Sequence, residues 1–249
     1  MKKFLMLIFL TFTMTAIRAQ PVRVAVAANL RYVFEEIRKA YVMQYPLADI
    51  SANFGSSGML VQQIMNGAGY DLFMAADDLF PVMLKEQGFA SGEVQVYAEG
   101  KLVLWSNTLD VAKGLKILTG NRVRRIAVAK PDLAPYGDRA LECLKNAGLY
   151  DQLKEKIIYA DNISQTAQFA QTGNAEAAFL AMSLTLSPGM RGSVYTIPPE
   201  MYKPVKQAMV LVGQGSDCPD AVRLMQFILS DRCKLLFEKY GYAVSPSEP

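Results

Sequence analysis

The sequence has no histidine among its 249 residues, and this absence excludes several kinds of active site. A Ser-His-acid nucleophile and histidine-based metal sites cannot be built, and the usual general base at neutral pH is missing. A serine hydrolase would need another base, such as a lysine, and no Ser-x-x-Lys motif stands at Ser56 or Ser57. An exported hydrolase that uses Ser57 is therefore the weakest alternative, and we expect the protein not to be an enzyme.

Cysteine is scarce and occurs in an odd number, at Cys143, Cys218 and Cys233. At least one thiol must therefore stay unpaired. Cys218 and Cys233 lie at opposite ends of a stretch with helical periodicity, too far apart for a disulfide if that stretch is one rod. We predict that all three are structural thiols.

Clusters of positive charge are also missing once the N-terminus is set aside. Residues 1–19 have the form of a secretory leader, with Lys2 and Lys3, an apolar run from Phe4 to Ile17, and Ala19 before the expected cleavage site. The leader holds three of the 26 basic residues and none of the 23 acidic ones, so the mature chain carries 23 of each. The leader predicts a periplasmic protein. The charge balance predicts that neither nucleic acid nor an anionic membrane is its partner.

What the chain does contain is a regular alternation of apolar runs and segments with helical periodicity. The alternation starts at Val22, restarts near Lys101, and ends in a strand and two helices that have no sheet of their own. A helix is expected from about Met59, and Asp78 is expected to cap the helix that follows 70–77. The alternation predicts strands at 22–27, 50–54, 70–77, 102–105, 126–129, 157–160, 177–181 and 208–212. It predicts an α/β fold of two lobes, each a mainly parallel sheet flanked by helices, with two hinge crossings near Gly100 and Pro198. The predicted parts are a signal peptide at 1–19, lobe I at 20–100 plus 204–249, and lobe II at 101–203, including a hinge link at 198–203.

Two stretches end a predicted strand in small polar residues and then start a helix. They are Asn53–Gly58, with the sequence NFGSSG, and Ala25–Leu30, with the sequence AVAANL. The first turn of a helix has free backbone N–H groups and about half a positive charge, so such turns can bind anions. The alternative is that they are helix caps without a ligand.

Taken together, several segments resemble a known family, the periplasmic molybdate-binding proteins of ABC importers, which have the type II periplasmic binding protein fold. The resemblance spans nearly the whole mature chain. Its landmarks are 27–30 (AANL), 54–58 (FGSSG), 71–77 (DLFMAAD), 130–137 (KPDLAPYG), 161–166 (DNISQT) and 239–242 (KYGY).

The resemblance implies a site in which neutral donors from both lobes hold an oxyanion. Carried over position by position, it assigns ligand contacts to the backbone of Ala28, to Asn29, to Ser57, to Tyr136 and to the backbone N–H of Ile163. Members that instead use a tyrosine late in the second lobe have it where this chain has Ala181, so that contact is expected to be absent.

The same resemblance implies the ligand and the partner. The ligand would be molybdate or tungstate, with molybdenum bound only as the oxyanion, with no cofactor and with no metal ligated directly. The partner would be an ABC transporter permease, and a monomer is expected. Alternatives are a receptor for another oxyanion such as sulfate, or a ferric-binding protein using Tyr195 and Tyr202.

Overall fold

The structure, a computed structural model, describes residues 21–244. The expected leader and its cleavage site lie outside these residues. Two five-stranded sheets, each flanked by helices, form the two lobes. Within residues 21–244, no helix is long and apolar enough to cross a membrane.

The first sheet has the strand order β2-β1-β3-β10-β4. Its strands are β1 (Val22–Ala27), β2 (Ile50–Gly55), β3 (Leu72–Met74), β4 (Ala90–Gly100) and β10 (Val205–Val212). β1 pairs in parallel with β2 and β3, whereas β10 is antiparallel to both β3 and β4. Four strands therefore share one direction, and the C-terminal strand rejoins the first sheet as expected.

The second sheet has the order β7-β6-β8-β5-β9 and repeats this plan. Its strands are β5 (Leu102–Ser106), β6 (Ile126–Ala129), β7 (Ile157–Ala160), β8 (Ala177–Ala181) and β9 (Ser193–Thr196). β6 is parallel to β7 and β8, and β5 is antiparallel to β8 and β9. The predicted mainly parallel sheets are thus mixed, with one reversed strand in each.

Nine α-helices lie within the described residues, on both faces of the sheets. They are α1 (Arg31–Gln44), α2 (Ser57–Met65), α3 (Leu79–Glu86), α4 (Pro135–Asn146), α5 (Tyr150–Leu153), α6 (Ile163–Gln171), α7 (Met182–Thr185), α8 (Pro219–Ile228) and α9 (Asp231–Lys239). The apolar faces of these helices bury the strands, which is why β6 and β8 are continuous apolar runs and β1 is apolar except for Arg23.

The chain passes between the lobes twice, from β4 to β5 and from β9 to β10. A hydrogen bond joins the two crossings: the Leu102 N–H donates to Tyr202 Oη at 3.1 Å. Gly100, at the first crossing, has no room for a side chain, since a Cβ there would lie 2.0 Å from Tyr136 Oη. The hinge is therefore tightly packed.

Several local predictions need correction. The strand expected at 70–77 is regular only at Leu72–Met74, and the helix expected from about Met59 begins at Ser57. β4 and β9 were not predicted, because they are partly exposed strands with polar residues and not buried apolar runs. The cap of α3 was expected from Asp78, but the side chain that accepts the Phe80 N–H, at 3.2 Å, is that of Asp77.

All three cysteines are free in the structure, as predicted. Cys143 and Cys233 are buried, and burial raises the pKa of the Cys143 thiol to about 12 and that of Cys233 to about 11. Cys218 precedes α8 whereas Cys233 lies in α9, so the stretch between them is two helices rather than one rod.

Candidate ligand-binding site

One cavity lies between the lobes where four helical segments begin. It is lined by residues 27–29, 55–57, 76, 134–136 and 163. All five residues predicted for the site, Ala28, Asn29, Ser57, Tyr136 and Ile163, line it. The cavity measures only about 10 Å³, which is close to the room that one water molecule needs. The cavity therefore suits a small ligand.

Local sequence and one contact across the lobes explain why α4, α6 and α2 begin at the cavity. Pro135 at the first position of α4 needs no hydrogen-bond partner for its nitrogen. Asn162 caps α6, its Oδ1 accepting the N–H groups of Ser164 and Gln165 at 3.0 Å each. In α2, the Gly58 N–H donates across the lobes to Leu133 O at 2.9 Å. These bonds satisfy neighbouring groups and leave the first N–H of each segment for the cavity.

Four backbone N–H groups at the cavity stand at the starts of helical segments. They are the N–H groups of Asn29, Ser57, Tyr136 and Ile163. The Ala28 N–H, predicted as a further contact, is instead directed at the Gly55 carbonyl, because Ala27 pairs with Gly55 in the β1–β2 ladder. The first N–H groups of a helix have no acceptor within that helix, and several such ends converge here. Aligned peptide dipoles add partial positive charge at each end. The arrangement can hold a small anion.

The two serines before and within α2 add hydroxyl groups. Ser57 is 1% exposed, and its Oγ accepts the Ala76 N–H at 3.0 Å, so its own hydrogen remains available. The Ser56 Oγ is buried and has no hydrogen-bond partner among residues 21–244. Ser56 lines the cavity but was not predicted as a site residue, because the resemblance assigns a ligand contact only to the second serine of the pair.

The Asn29 side chain has a different role from the one expected. Its Nδ2 donates to Gln207 Oε1 at 2.7 Å and to Tyr242 Oη at 2.8 Å, so both hydrogens are used. What Asn29 offers to a ligand is its backbone N–H, and its side chain holds the loop in place. Sequence spacing could not show this, because the two partners lie 178 and 213 residues away.

The Tyr136 hydroxyl points to the hinge. Its Oη is buried without a partner and lies against Gly100. Burial raises the pKa of Tyr136 well above its ordinary value. Tyr136 therefore presents its ring and its backbone N–H to the cavity, and its hydroxyl has no hydrogen bond within the described chain. The alternative tyrosine position, Ala181, is buried at the end of β8 and does not line the cavity.

Replacing Tyr136 with phenylalanine is expected to leave ligand affinity within about threefold of the wild type. The physical reason is that a buried hydroxyl without a partner costs about 1–3 kcal/mol of desolvation, so its removal should also raise the unfolding free energy. Calorimetric titration and urea denaturation would measure both quantities. A tenfold loss of affinity would show instead that the hydroxyl contacts the ligand.

Comparison with known proteins identifies the family. The model of the bacterial extracellular solute-binding protein family matches residues 22–243. The chain belongs to this family. It is 35% identical over 233 residues to the molybdate-binding protein ModA of Azotobacter vinelandii, covering 92% of both chains. It is also 35% identical over 223 residues to ModA of Rhodobacter capsulatus, covering 88% of this chain and 86% of that one.

A solved structure supports the same assignment for this solute-binding protein. The periplasmic molybdate-binding protein of Azotobacter vinelandii superposes with a TM-score of 0.84 at 31% identity, over 90% of this chain and 100% of that chain. The two-lobed architecture predicted from the sequence is therefore confirmed. The residues that contact a ligand in this chain remain a prediction.

No charged side chain lines the cavity of the solute-binding protein within the part of the chain that is described. Residues 21–244 also hold no group of three or more Cys, Asp or Glu side chains placed to bind a metal ion. Tyr195 and Tyr202, which a ferric site would need, do not line the cavity. The site thus offers neutral donors.

The nearest acidic residue in sequence to this lining is Asp77, which follows Ala76. It is 8% exposed, and desolvation by burial raises its pKa to about 6, although the Phe80 N–H acts in the opposite direction. In the unfolded chain the carboxyl group has its ordinary, lower pKa. The folded state therefore binds the proton more tightly, and the contribution of Asp77 to stability falls as pH rises from about 4 to about 6.

Replacing Asp77 with asparagine is expected to raise the unfolding free energy at pH 8 by about 1–3 kcal/mol. The amide oxygen can still accept the Phe80 N–H, while the buried charge is gone. The gain should vanish at pH 4, where the wild-type carboxyl is protonated in the folded state. Denaturation at both pH values measures it, with Asp78→Asn as the control, because Asp78 is more exposed. A gain that is equal at both pH values would contradict the explanation.

Proposed function

We propose that this solute-binding protein captures molybdate, and also tungstate, between its lobes and delivers the ion to an ABC importer. The observation that supports this most is the convergence of four backbone N–H groups at helix starts and the Ser57 hydroxyl on one small cavity, which no charged side chain of residues 21–244 lines. The ModA relatives, at 35% identity, are molybdate-binding proteins.

Neutral donors are sufficient to bind a dianion. A hydrogen bond to a charged group contributes about 1.5–3 kcal/mol. About five such bonds, less the costs of desolvation and lobe closure, can leave the roughly 8 kcal/mol that micromolar binding requires. Because no lysine or arginine of residues 21–244 lines the cavity, the ion is held by dipoles and can still be released to a transporter.

The same donor set discriminates between oxyanions. Hydrogen phosphate carries a proton that needs an acceptor, and a site that offers only donors leaves that proton unpaired. Sulfate has the charge and shape of molybdate but is smaller. Its exclusion must therefore come from the cavity size, which the contact of the two lobes sets.

The wider proposal follows from the family. We infer periplasmic export by cleavage after Ala19, binding without catalysis or a cofactor, and docking as a monomer on a transporter permease. We also propose the lobe boundaries at residues 20–100 plus 204–249 and at 101–203, with the lobes closing on the ion about the link at 198–203. The two crossings lie in contact with each other and can act as one hinge, which supports this motion.

Isothermal titration of the chain from Gln20 with molybdate, repeated in excess sulfate, tests the proposal. We expect one-to-one binding at micromolar affinity or tighter that survives the sulfate. Displacement by sulfate would favour a sulfate receptor, the second candidate. Absence of binding by molybdate, tungstate and sulfate would refute the oxyanion assignment altogether.

A further inference from the structure

Two serines from the second lobe reach the loop that carries Ala28 and Asn29. Ser183, at the start of α7, donates from Oγ to Asn29 O at 2.8 Å. Ser164, at the start of α6, donates from Oγ to Ala28 O at 3.2 Å. The same loop therefore turns the Asn29 N–H toward the cavity and the Ala28 and Asn29 carbonyl groups toward the opposite lobe.

Ser183 is part of a buried polar network. The Tyr242 hydroxyl accepts the Asn29 side-chain N–H at 2.8 Å and shares its own hydrogen between Asn29 O and Ser183 Oγ, each at 3.1 Å. Gln207 accepts the other Asn29 side-chain N–H. All of these residues are under 5% exposed. Buried polar groups of this kind are costly to leave without partners.

The members of the network come from different lobes. Asn29 follows β1, Gln207 lies in β10, and Tyr242 precedes Ala243, which bridges to Glu99 of β4. These three belong with the first sheet, whereas Ser183 follows β8 of the second. Rotation of the lobes about the hinge would separate Ser183 from Asn29 and Tyr242 and leave the other bonds of the network intact.

We propose that Ser183 is a positioning residue that latches the lobes in the closed arrangement and slows escape of the bound ion. It acts through Asn29, whose carbonyl accepts from Ser183 and whose backbone N–H faces the cavity. The latch favours closure in both the free and the ion-bound protein. This inference rests on the proposed function, since it assigns a residue to retention of the same ion.

The test compares Ser183→Ala with Thr185→Ala in the same helix. The Thr185 hydroxyl bonds only to Met182 O, at 2.8 Å, within α7, so its loss does not affect the lobe contact. We expect Ser183→Ala to increase the dissociation rate of molybdate about tenfold, the effect of one to two hydrogen bonds, with little change in the association rate. Thr185→Ala should leave both rates unchanged in stopped-flow fluorescence.

A second variant separates a latch from a purely structural contact. Tyr242→Phe removes the hydroxyl that bonds to Ser183, so its effect on the dissociation rate should not add to that of Ser183→Ala in the double variant. A lower melting temperature of free Ser183→Ala with an unchanged dissociation rate would overturn the proposal. Full additivity of the two variants would do the same.

An error in the proposed function would give a different experimental result from an error in the latch proposal. If the wild-type chain binds none of molybdate, tungstate and sulfate, the ligand assignment is wrong. The latch is then tested by hydrogen exchange in the protein without ligand. Hydrogen exchange of the amides at 27–31 should then be faster in Ser183→Ala than in Thr185→Ala, because the carbonyl side of that loop loses its partner. Equal exchange in the two variants would overturn the latch itself.

Discussion

Replacing Gly137 with alanine is expected to weaken oxyanion binding by about 100-fold or more, the loss of one or two charged hydrogen bonds. Gly137 lies in the first turn of α4, where a Cβ would be 2.0 Å from Ala129 O at the end of β6. A methyl group must push the helix away from the strand by about 1 Å or more, because Cβ contacts below 3 Å do not persist. The Tyr136 N–H, on the same turn, moves with it.

Overpacking of this kind also destabilises the fold, typically by about 1–3 kcal/mol. Gly120→Ala is the matched control, because Gly120 is exposed, has a negative φ and meets only Ile117 O, at 3.3 Å. Calorimetric titration and urea denaturation of both variants measure the two effects. Wild-type affinity in Gly137→Ala would show that the wall formed by α4 does not contribute to the site.

Replacing Ser57 with alanine is expected to lower affinity by about 10- to 100-fold, the value of one hydrogen bond to a charged group. The change also leaves the buried Ala76 N–H without its acceptor, so the unfolding free energy should fall by about 1–3 kcal/mol. Because Ser57→Ala keeps the backbone N–H of residue 57 at the cavity, some binding should remain.

Ser51→Ala serves as the control for Ser57→Ala, since Ser51 is an exposed serine on β2 outside the cavity. Titration with molybdate distinguishes the two variants. If Ser57→Ala is less stable but binds as tightly as the wild type, the hydroxyl only supports the Ala76 loop. In that case the backbone donors alone would hold the ion.

Much of the fold could be predicted because buried strands have a simple signature. β1, β6, β7 and β8 were predicted with the bounds that the structure shows, since each is an apolar run ended by a turn or helix signal. β4 failed this test: its outer residues are polar and exposed, and its place in the sheet depends on pairing with β10, more than 100 residues later.

The five residues predicted for the site line one cavity, but the role of each side chain there could not be predicted. Family resemblance selected five residues that the fold places around one cavity: Ala28, Asn29, Ser57, Tyr136 and Ile163. It could not reveal that the Asn29 amide is used by Gln207 and Tyr242, nor that the Tyr136 hydroxyl lies at the hinge. Those roles depend on tertiary contacts between distant parts of the chain, for which a local motif contains no information.

The position of β10 between β3 and β4 determines the order in which the chain can fold. The second sheet is encoded by one contiguous stretch, from Leu102 to Thr196, and can assemble as soon as that stretch is available. The first sheet stays split, with β4 unpaired from β3, until residues 205–212 arrive. Closing that gap requires contacts between distant parts of the sequence, which form slowly. The N-terminal lobe, although synthesised first, is therefore the last to be completed.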